Sequence, residues 1–457
     1  MKKIIIVGGG TAGWMAAATL VKCFPDKSIT LIESPNIPTV GVGESTIQQI
    51  RGWISLLGIK EEEFIPYTDA SYKLSIKFTD FYKKGEAFHY PFGSPNTDNN
   101  LANHNDWWFK KIYKPETPNS DYADCIFPQM ALVNENKCFS NEDNKIPFNL
   151  KKDSAFHFDA TKFGLWLRDH YCLPRGVKHI KEDVKTIEQD ENGIRSLNKK
   201  HKADLFIDCT GFKSLLLGET LKEEFISFED LLPNNKAWAT KIPYKSKKAP
   251  KNKSDYKNIK MKVGTHKRLW VKNVVAIGLS AGFIEPLESN GLFSVHEFLA
   301  ELVRNLKREK VSQWDRDNYT FTCRQMFQNF AEFVALHYAL SHRDDTEYWK
   351  ANLNKEWRKV LERIITLPAG NLSKYMIDRN FNFHHNPEGG VHCIAAGMNW
   401  APTDLHTLMK NNINTGRNWD TYFKIATDNL EHKKKEWKNA VKNAPSLHDF
   451  LQQKYYK

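Results

Sequence analysis

Apolar and polar positions along this chain follow two structural periods in turn. Ile4 to Val7 form an unbroken apolar run closed at once by Gly8, Gly9 and Gly10, the pattern of a strand buried on both faces. Helical spacing follows from Thr11 to about Cys23, Pro25 ends it, and Ser28 to Ile32 reads as the next strand. Strand, glycine turn, helix and strand together open a parallel α/β sheet. From about Glu61 to Phe148 the chain turns aromatic, asparagine-rich and loop-heavy. Hairpin-like strands appear around Lys178 to Leu197, with a turn at Asp190-Glu191-Asn192-Gly193. Ala203 to Cys209 and Val271 to Leu279 read as further buried strands, each running into glycine. After Gly291 the pattern becomes helical, with amphipathic stretches near Phe293 to Arg308, Tyr319 to Ser341 and Tyr348 to Ile365.

The strand-forming segments are dispersed, so one sheet must be assembled from several pieces. The expected fold class is α/β with an α+β second lobe. A discontinuous Rossmann-type cofactor domain is expected from 1–60, 155–215 and 265–305. A mostly helical substrate lobe is expected from 61–154, 216–264 and 306–457. A length of 457 residues suits two lobes.

Charge narrows the partners. The net charge of +12 comes largely from lysine, without the arginine-rich, aromatic-interleaved stripe of a nucleic-acid reader. The runs Lys245 to Lys253 and Lys433 to Lys435 read as solvated surface, and no nucleic-acid partner is expected. The seven cysteines are scattered with no CxxC pair, which points to a reducing cytoplasm. No run of about 18 apolar residues is present, so no membrane span is expected.

The first glycine turn carries specific chemistry. Gly8-Gly9-Gly10-Thr11-Ala12-Gly13 matches GxGxxG between a strand and a helix, and Glu33 ends the second strand roughly 20 residues further on. Gly8 permits the tight turn, Gly10 lets backbone approach a pyrophosphate, and Gly13 allows close helix–sheet packing. The helix N-terminus offers N–H groups to phosphate, and Glu33 can accept from a ribose hydroxyl. Two later strand–glycine elements, Phe206 to Gly211 (with Asp208) and Val275 to Gly278, favour FAD over NAD. Both resemble later motifs of two-lobed flavin monooxygenases.

Further blocks make the chain similar to the flavin-dependent tryptophan halogenase family, as a shortened, divergent member. They include Gly8 to Trp14, Gly41-Val42-Gly43-Glu44-Ser45-Thr46, Ser71-Tyr72-Lys73-Leu74-Ser75-Ile76-Lys77-Phe78 and His157-Phe158-Asp159-Ala160. Asp208-Cys209-Thr210-Gly211-Phe212, Trp270-Val271-Lys272-Asn273 and the segment from His337-Tyr338 to Trp349 also fit. The most diagnostic block is Gly278-Leu279-Ser280-Ala281-Gly282-Phe283-Ile284-Glu285-Pro286-Leu287-Glu288-Ser289.

The resemblance implies an enzyme that uses FADH2, O2 and halide ion to make hypohalous acid and passes it through a lysine to a small aromatic substrate. A separate flavin reductase is implied as partner. Lys73 matches the family's catalytic lysine, with Lys77 as the lesser candidate on the same strand face. Glu288 matches its catalytic carboxylate, and Asn290 and Gly291 match positions whose backbone N–H groups hold halide. Leu279 and Leu292 match flavin-contacting positions, and Val184 falls near the adenine end. Gly43 to Thr46 matches a strap linking the flavin site to the lysine side.

Departures matter as well. The family's Trp-x-Trp-x-Ile-Pro motif stands here as Trp238-Ala239-Thr240-Lys241-Ile242-Pro243, and members usually carry threonine where Asn290 stands. Tyr244 to Val263 reads as a shortened bridge. Substrate identity therefore does not transfer: an indole, a phenol or a related aromatic fits equally. An NAD(P)H-dependent aromatic hydroxylase is the competing reading, and a non-catalytic flavin-binding protein the third. Met398-Asn399-Trp400 reads equally as substrate lining or as core. His384, His385 and His392 lack helical zinc spacing, so no metal is expected, and the oligomeric state stays open.

Overall fold

The structure is a computed structural model, and it describes residues 1–37, 43–96, 104–140, 145–240, 256–308, 310–355, 387–399 and 418–456. The chain forms two compact units. The first comprises Met1–Thr46, Gly52–Ser71 and His157–Ala331; the second comprises Ile47–Arg51, Tyr72–Phe156 and Glu332–Lys457.

The first unit is built on a six-stranded sheet. Its central strand Lys3–Val7 lies parallel between Ser28–Glu33 and Leu205–Asp208. Lys178–Lys181 extends the sheet beyond Ser28–Glu33, and Val274–Ala276 extends it beyond Leu205–Asp208. Ile4, Ile6, Leu205, Phe206, Ile207, Val274 and Val275 are fully buried, as continuous apolar runs require in a sheet covered on both faces. The helix Thr11–Cys23 buries Trp14 to Leu20 and packs against Gly291–Leu306 and Ala160–Trp166.

Two local readings are revised. Val271 to Leu279 is not one strand: Lys272, in left-handed conformation, turns the chain so that Trp270–Val271 runs antiparallel to Val274–Ala276. Glu191 and Asn192 do turn a hairpin between Ile187–Asp190 and Gly193–Leu197. The preceding strand Lys178–Lys181, however, joins the parallel sheet. Helices at Gly291–Leu306, Gln313–Ala339 and Glu347–Leu353 occupy the three predicted amphipathic stretches, and 356–365 lies outside the described residues. Among the described residues no helix is long and apolar enough to cross a membrane.

The second unit is mixed. The hairpin of Ser75–Thr79 with Ala87–Pro91 stacks Phe78 on Phe88 at 5.0 Å, beside His337. The helix His104–Tyr113 packs along Trp419–Ala440, with Phe109 stacked on Phe423 at 5.3 Å. Between these helices Lys110, nearly inaccessible to solvent, donates to Asp121 and Glu431, and Lys434 donates to the other oxygen of Asp121. Burial pushes the Asp121 carboxyl up. The two ammonium groups more than offset this and leave it below the ordinary carboxylate range.

Because that value is depressed on folding, the stabilisation is present above the ordinary carboxylate range and disappears as pH falls through the lower folded value. Asp121→Asn removes the carboxylate that Lys110 and Lys434 share and leaves Glu431 as the charged partner of the buried Lys110. It is expected to cost about 2–3 kcal/mol, measured as a lowered urea midpoint at neutral pH. The gap between variant and wild type should close in acid.

Candidate functional site

Three strand ends meet at one edge of the sheet in the first unit. Gly8 follows Lys3–Val7 with φ +116°, and a Cβ there would lie 2.2 Å from the Cys209 carbonyl oxygen. Only glycine allows this crossing of two chain segments. Gly10 caps the helix Thr11–Cys23 in extended conformation, and nothing lies within 4 Å of the position its Cβ would take. The first N–H groups of that helix have no partner within it. They therefore face open space with the positive end of the helix dipole behind them. Thr11 donates its hydroxyl to the Ala160 carbonyl at 2.9 Å, which ties this turn to the neighbouring helix.

The space in front is a cavity of about 890 Å³ within the first unit. Gly8, Gly10, Thr11 and Ala12 line it, with Glu33 at the end of the second strand. Gly43, Glu44 and Ser45 of the expected strap line it too, as do Val184, Gly211, Gly278, Leu279, Asn290, Gly291 and Leu292. The remaining expected residues of this unit support the wall. Gly13 abuts the Gly8 carbonyl, Trp14 and Thr46 are buried, and Asp208 is consumed by its own turn.

Asp208 accepts from the Thr210 N–H at 3.0 Å, the Thr210 hydroxyl at 2.6 Å, and the Leu216 and Leu217 N–H groups at 2.7 and 2.9 Å. It is fully buried, and its role is to fold Thr210-Gly211 against the cavity. The strap Gly43–Ser45 pairs antiparallel with His157 to Asp159, and the Ser289 hydroxyl lies 3.1 Å from that of Ser45. Pro286–Glu288 forms a single 3-10 turn, Ser289 adopts φ +58°, and Asn290 caps the helix Gly291–Leu306. Glu288, 2% exposed, is thus fixed just before a helix start, the predicted position. The Asn290 carboxamide oxygen is buried with no hydrogen-bond partner in the structure.

At the other end of the cavity stand Glu182, Asp183 and Val184. Hydrogen bonds from His201, Lys200 and Asn198 hold the Glu182 carboxyl down at about 2. Asp183 fastens Ser34 and Asn36 beyond the second strand. Glu33 itself accepts from, or pairs with, His179 Nε2 at 2.8 Å. The sequence offered no signal for His179, a lone histidine on a short strand.

In the second unit Lys73 ends the strand Ser71–Lys73 and is 5% exposed, its Nζ 5.0 Å from the Phe92 ring centroid. Its neighbour Tyr72 stacks on Phe156 at 5.8 Å and shares a 2.6 Å hydroxyl contact with Tyr455. The Arg51 guanidinium lies over Phe156 at 4.1 Å and donates to the Ser154 carbonyl. These contacts pin the backbone that carries Lys73. Lys77 is not on the same strand: the ladder breaks at Leu74, and Lys77 is exposed, facing His89 in the next hairpin. Burial, with help from Lys77, pushes His89 down to about 4, so it is neutral near pH 7 and close to the Ser75 hydroxyl at 2.9 Å.

Other expected features fall elsewhere. Trp238 is on the strand Lys236–Ala239 and is 56% exposed, while Ala237 and Ala239 line the cavity. The motif's Lys241 to Pro243, the strap's Gly41-Val42, the lysine run 245–253, His384, His385 and Trp400 lie outside the described residues. His392 and Met398 are buried. Among the described residues no cluster of histidine, cysteine or carboxylate groups could hold a metal ion.

A mostly parallel sheet with a glycine cradle at its carboxyl edge defines an α/β protein with a Rossmann-type first unit. The chain belongs to the tryptophan halogenase family, whose description it matches over residues 3–255 and 247–413. It is similar to the tryptophan 6-halogenase SttH of Streptomyces toxytricini, 31% identical over 431 residues, covering 76% of this chain and 80% of the relative. It is also similar to the tryptophan 7-halogenase RebH of Lentzea aerocolonigenes, 28% identical over 540 residues, covering 99% and 98%. That alignment of 540 positions exceeds this chain's 457 residues, so the relative carries segments absent here. Among solved structures, the apo structure of VirX1 superposes with a TM-score of 0.86 at 33% identity, over the whole of both chains. The protein is thus an oxidoreductase of a flavin-dependent family, with a Rossmann-type sheet.

Asp208→Ala should unseat the Thr210-Gly211 turn by leaving buried N–H groups unpaired. The expected cost is roughly 3 kcal/mol, read as a lower denaturation midpoint.

Proposed function

We propose that this chain is an FADH2- and O2-dependent halogenase that makes hypohalous acid and delivers it through Lys73 to an aromatic substrate. The observation that carries the reading is the buried Lys73, held in a family block, in a chain whose first unit carries a cradle suited to FAD. The fit of the cradle rests on geometry: a close-approach glycine turn, a helix N-terminus facing open space, and Glu33 at the end of the second strand on the same cavity wall. Gly8 to Ala12 would hold the pyrophosphate, Glu33 a ribose, Val184 the adenine side, and Gly43 to Thr46 with Leu279 and Leu292 the ring system. When bound, reduced FAD with oxygen supplies the oxidising equivalent that converts halide to hypohalous acid.

This chain's residues then do the rest. The N–H groups of Asn290 and Gly291, at the start of a 16-residue helix, offer an anion site. The backbone donors do not depend on which side chain Asn290 carries. The amine of Lys73 is chemically able to take halogen from hypohalous acid, losing water, or to hold the acid as a charged donor. The Phe92 ring beside it shields that nitrogen from water on one side. The Glu288 carboxyl group polarises the oxidant and stabilises the positive charge that develops on the ring. A separate flavin reductase supplies the reduced cofactor. Indoles, phenols and related rings are all candidate substrates.

The test supplies reductase, FAD, and chloride, bromide or iodide with an aromatic panel, and reads product masses. Halogen-bearing products support the proposal; oxygen insertion without halogen, driven by NAD(P)H alone, supports a hydroxylase instead.

In that assay Lys73→Ala should lower halogenated product by at least about a hundredfold while oxygen-dependent flavin oxidation continues. Lys77→Ala, an exposed position, should stay within about twofold of wild type. Halogenation by the Lys73 variant at the wild-type rate would remove the assignment. For Glu288→Gln the expected outcome is a fall in kcat on the order of a hundredfold with FAD affinity unchanged, as read by kinetics and flavin titration. Loss of flavin binding alone would mark Glu288 as a framework residue.

A further inference from the structure

We infer that His179 is a positioning residue that fixes Glu33 over Gly9 and thereby sets the preference of this cradle for a dinucleotide flavin over a mononucleotide. The inference rests on the flavin reading above and extends it to a residue that no motif marks.

Glu33 is restrained at three points. Its backbone carbonyl accepts from the Glu182 N–H at 2.8 Å. One carboxylate oxygen, Oε1, meets His179 Nε2 at 2.8 Å. The other, Oε2, lies so close over Gly9 that a Cβ on that residue would sit 1.6 Å from it. Gly9 occupies the freely variable position of the GxGxxG pattern. Here that freedom is gone, because the acid rests on the glycine backbone.

His179 is held in turn. It lies on Lys178–Lys181, opposite Leu31 in the neighbouring strand and two register positions from the Glu33–Lys181 pair. The edge of the buried Trp14 indole meets its ring at 5.1 Å and 80°. Trp14, His179 and Glu33 thus form one line from the core of the first helix to the cavity wall. The Arg168 guanidinium, whose charge also feels Glu33, is engaged by Asp169 at 2.7 and 2.8 Å.

This arrangement has a chemical consequence. With Oε1 occupied by the imidazole, the lone pairs of Oε2 remain for a donor arriving in the cavity, and the hydrogen bond restrains the carboxylate from rotating away from it. A ribose hydroxyl beside the glycine turn is such a donor. FAD brings an adenosine ribose to this end and FMN does not. The ring system, ribityl chain and first phosphate are common to both. His179 should therefore act on the binding of FAD and leave that of FMN untouched.

The experiment titrates apo protein with FAD and with FMN separately, following flavin fluorescence, for wild type, His179→Ala and His179→Gln. Thermal melting is recorded alongside. Wild type is expected to prefer FAD. His179→Ala should bind FAD roughly tenfold more weakly, the loss of one hydrogen bond to a charged group, with FMN affinity unchanged. His179→Gln retains an N–H donor at that reach and should recover most of the FAD affinity.

Equal FAD affinity in wild type and His179→Ala overturns the inference. So does a parallel loss for both flavins, which marks a purely structural role, and so does failure of glutamine to rescue. A wild type that binds neither flavin overturns the flavin reading itself, an outcome separable from the others.

Discussion

The contact between the turn at Gly8 and the carbonyl of Cys209 governs the first unit. Two parallel strands must end side by side, and their outgoing chains must cross within backbone distance. That crossing aims the N-terminus of the first helix into the cavity. It also places Thr210-Gly211 on the cavity wall, where Asp208 locks them. A side chain at Gly8 would separate the two strand ends and move the groups that line this end of the cavity. The diagnostic chemistry of the cradle is therefore a property of backbone geometry, with side chains such as Glu33 added at its margin.

Around that crossing the unit spends polar groups on fixing loops and leaves few polar atoms facing the cavity. Asp183 pins the loop after the second strand, Glu182 is tied to His201 and Lys200, and the hydroxyls of Ser45 and Ser289 meet. A ligand arriving there meets a wall that is already ordered, so little ordering is left to oppose binding. The Asn290 carboxamide oxygen, on a residue that lines the cavity, is buried without a hydrogen-bond partner.

The second unit solves a different problem, the burial of a lysine. Lys73 sits among aromatic residues, and the strand that carries it is clamped through Tyr72 by Phe156, Arg51 and Tyr455. The break at Leu74 separates Lys73 from Lys77, so the two lysines of one short block end in opposite environments. Buried charge recurs deeper in this unit, where Lys110 and Lys434 are neutralised by Asp121 and Glu431 between two helices.

Much of this was legible in residue order alone. The glycine turn, the first helix, the strands on either side and Glu33 all follow from local rules: apolar runs, helical spacing and the conformational tolerance of glycine. Family blocks supplied Lys73 and Glu288. Tertiary structure decided what depends on distant segments meeting. His179 reaches Glu33 across 146 residues of sequence, and Asp208 proved to serve its own turn. Lys77 turned outward because the ladder broke one residue after Lys73. Local sequence fixes the conformation a segment prefers. Which side chain fills the space beside it is set by packing between strands far apart in the chain, and no period or motif encodes that.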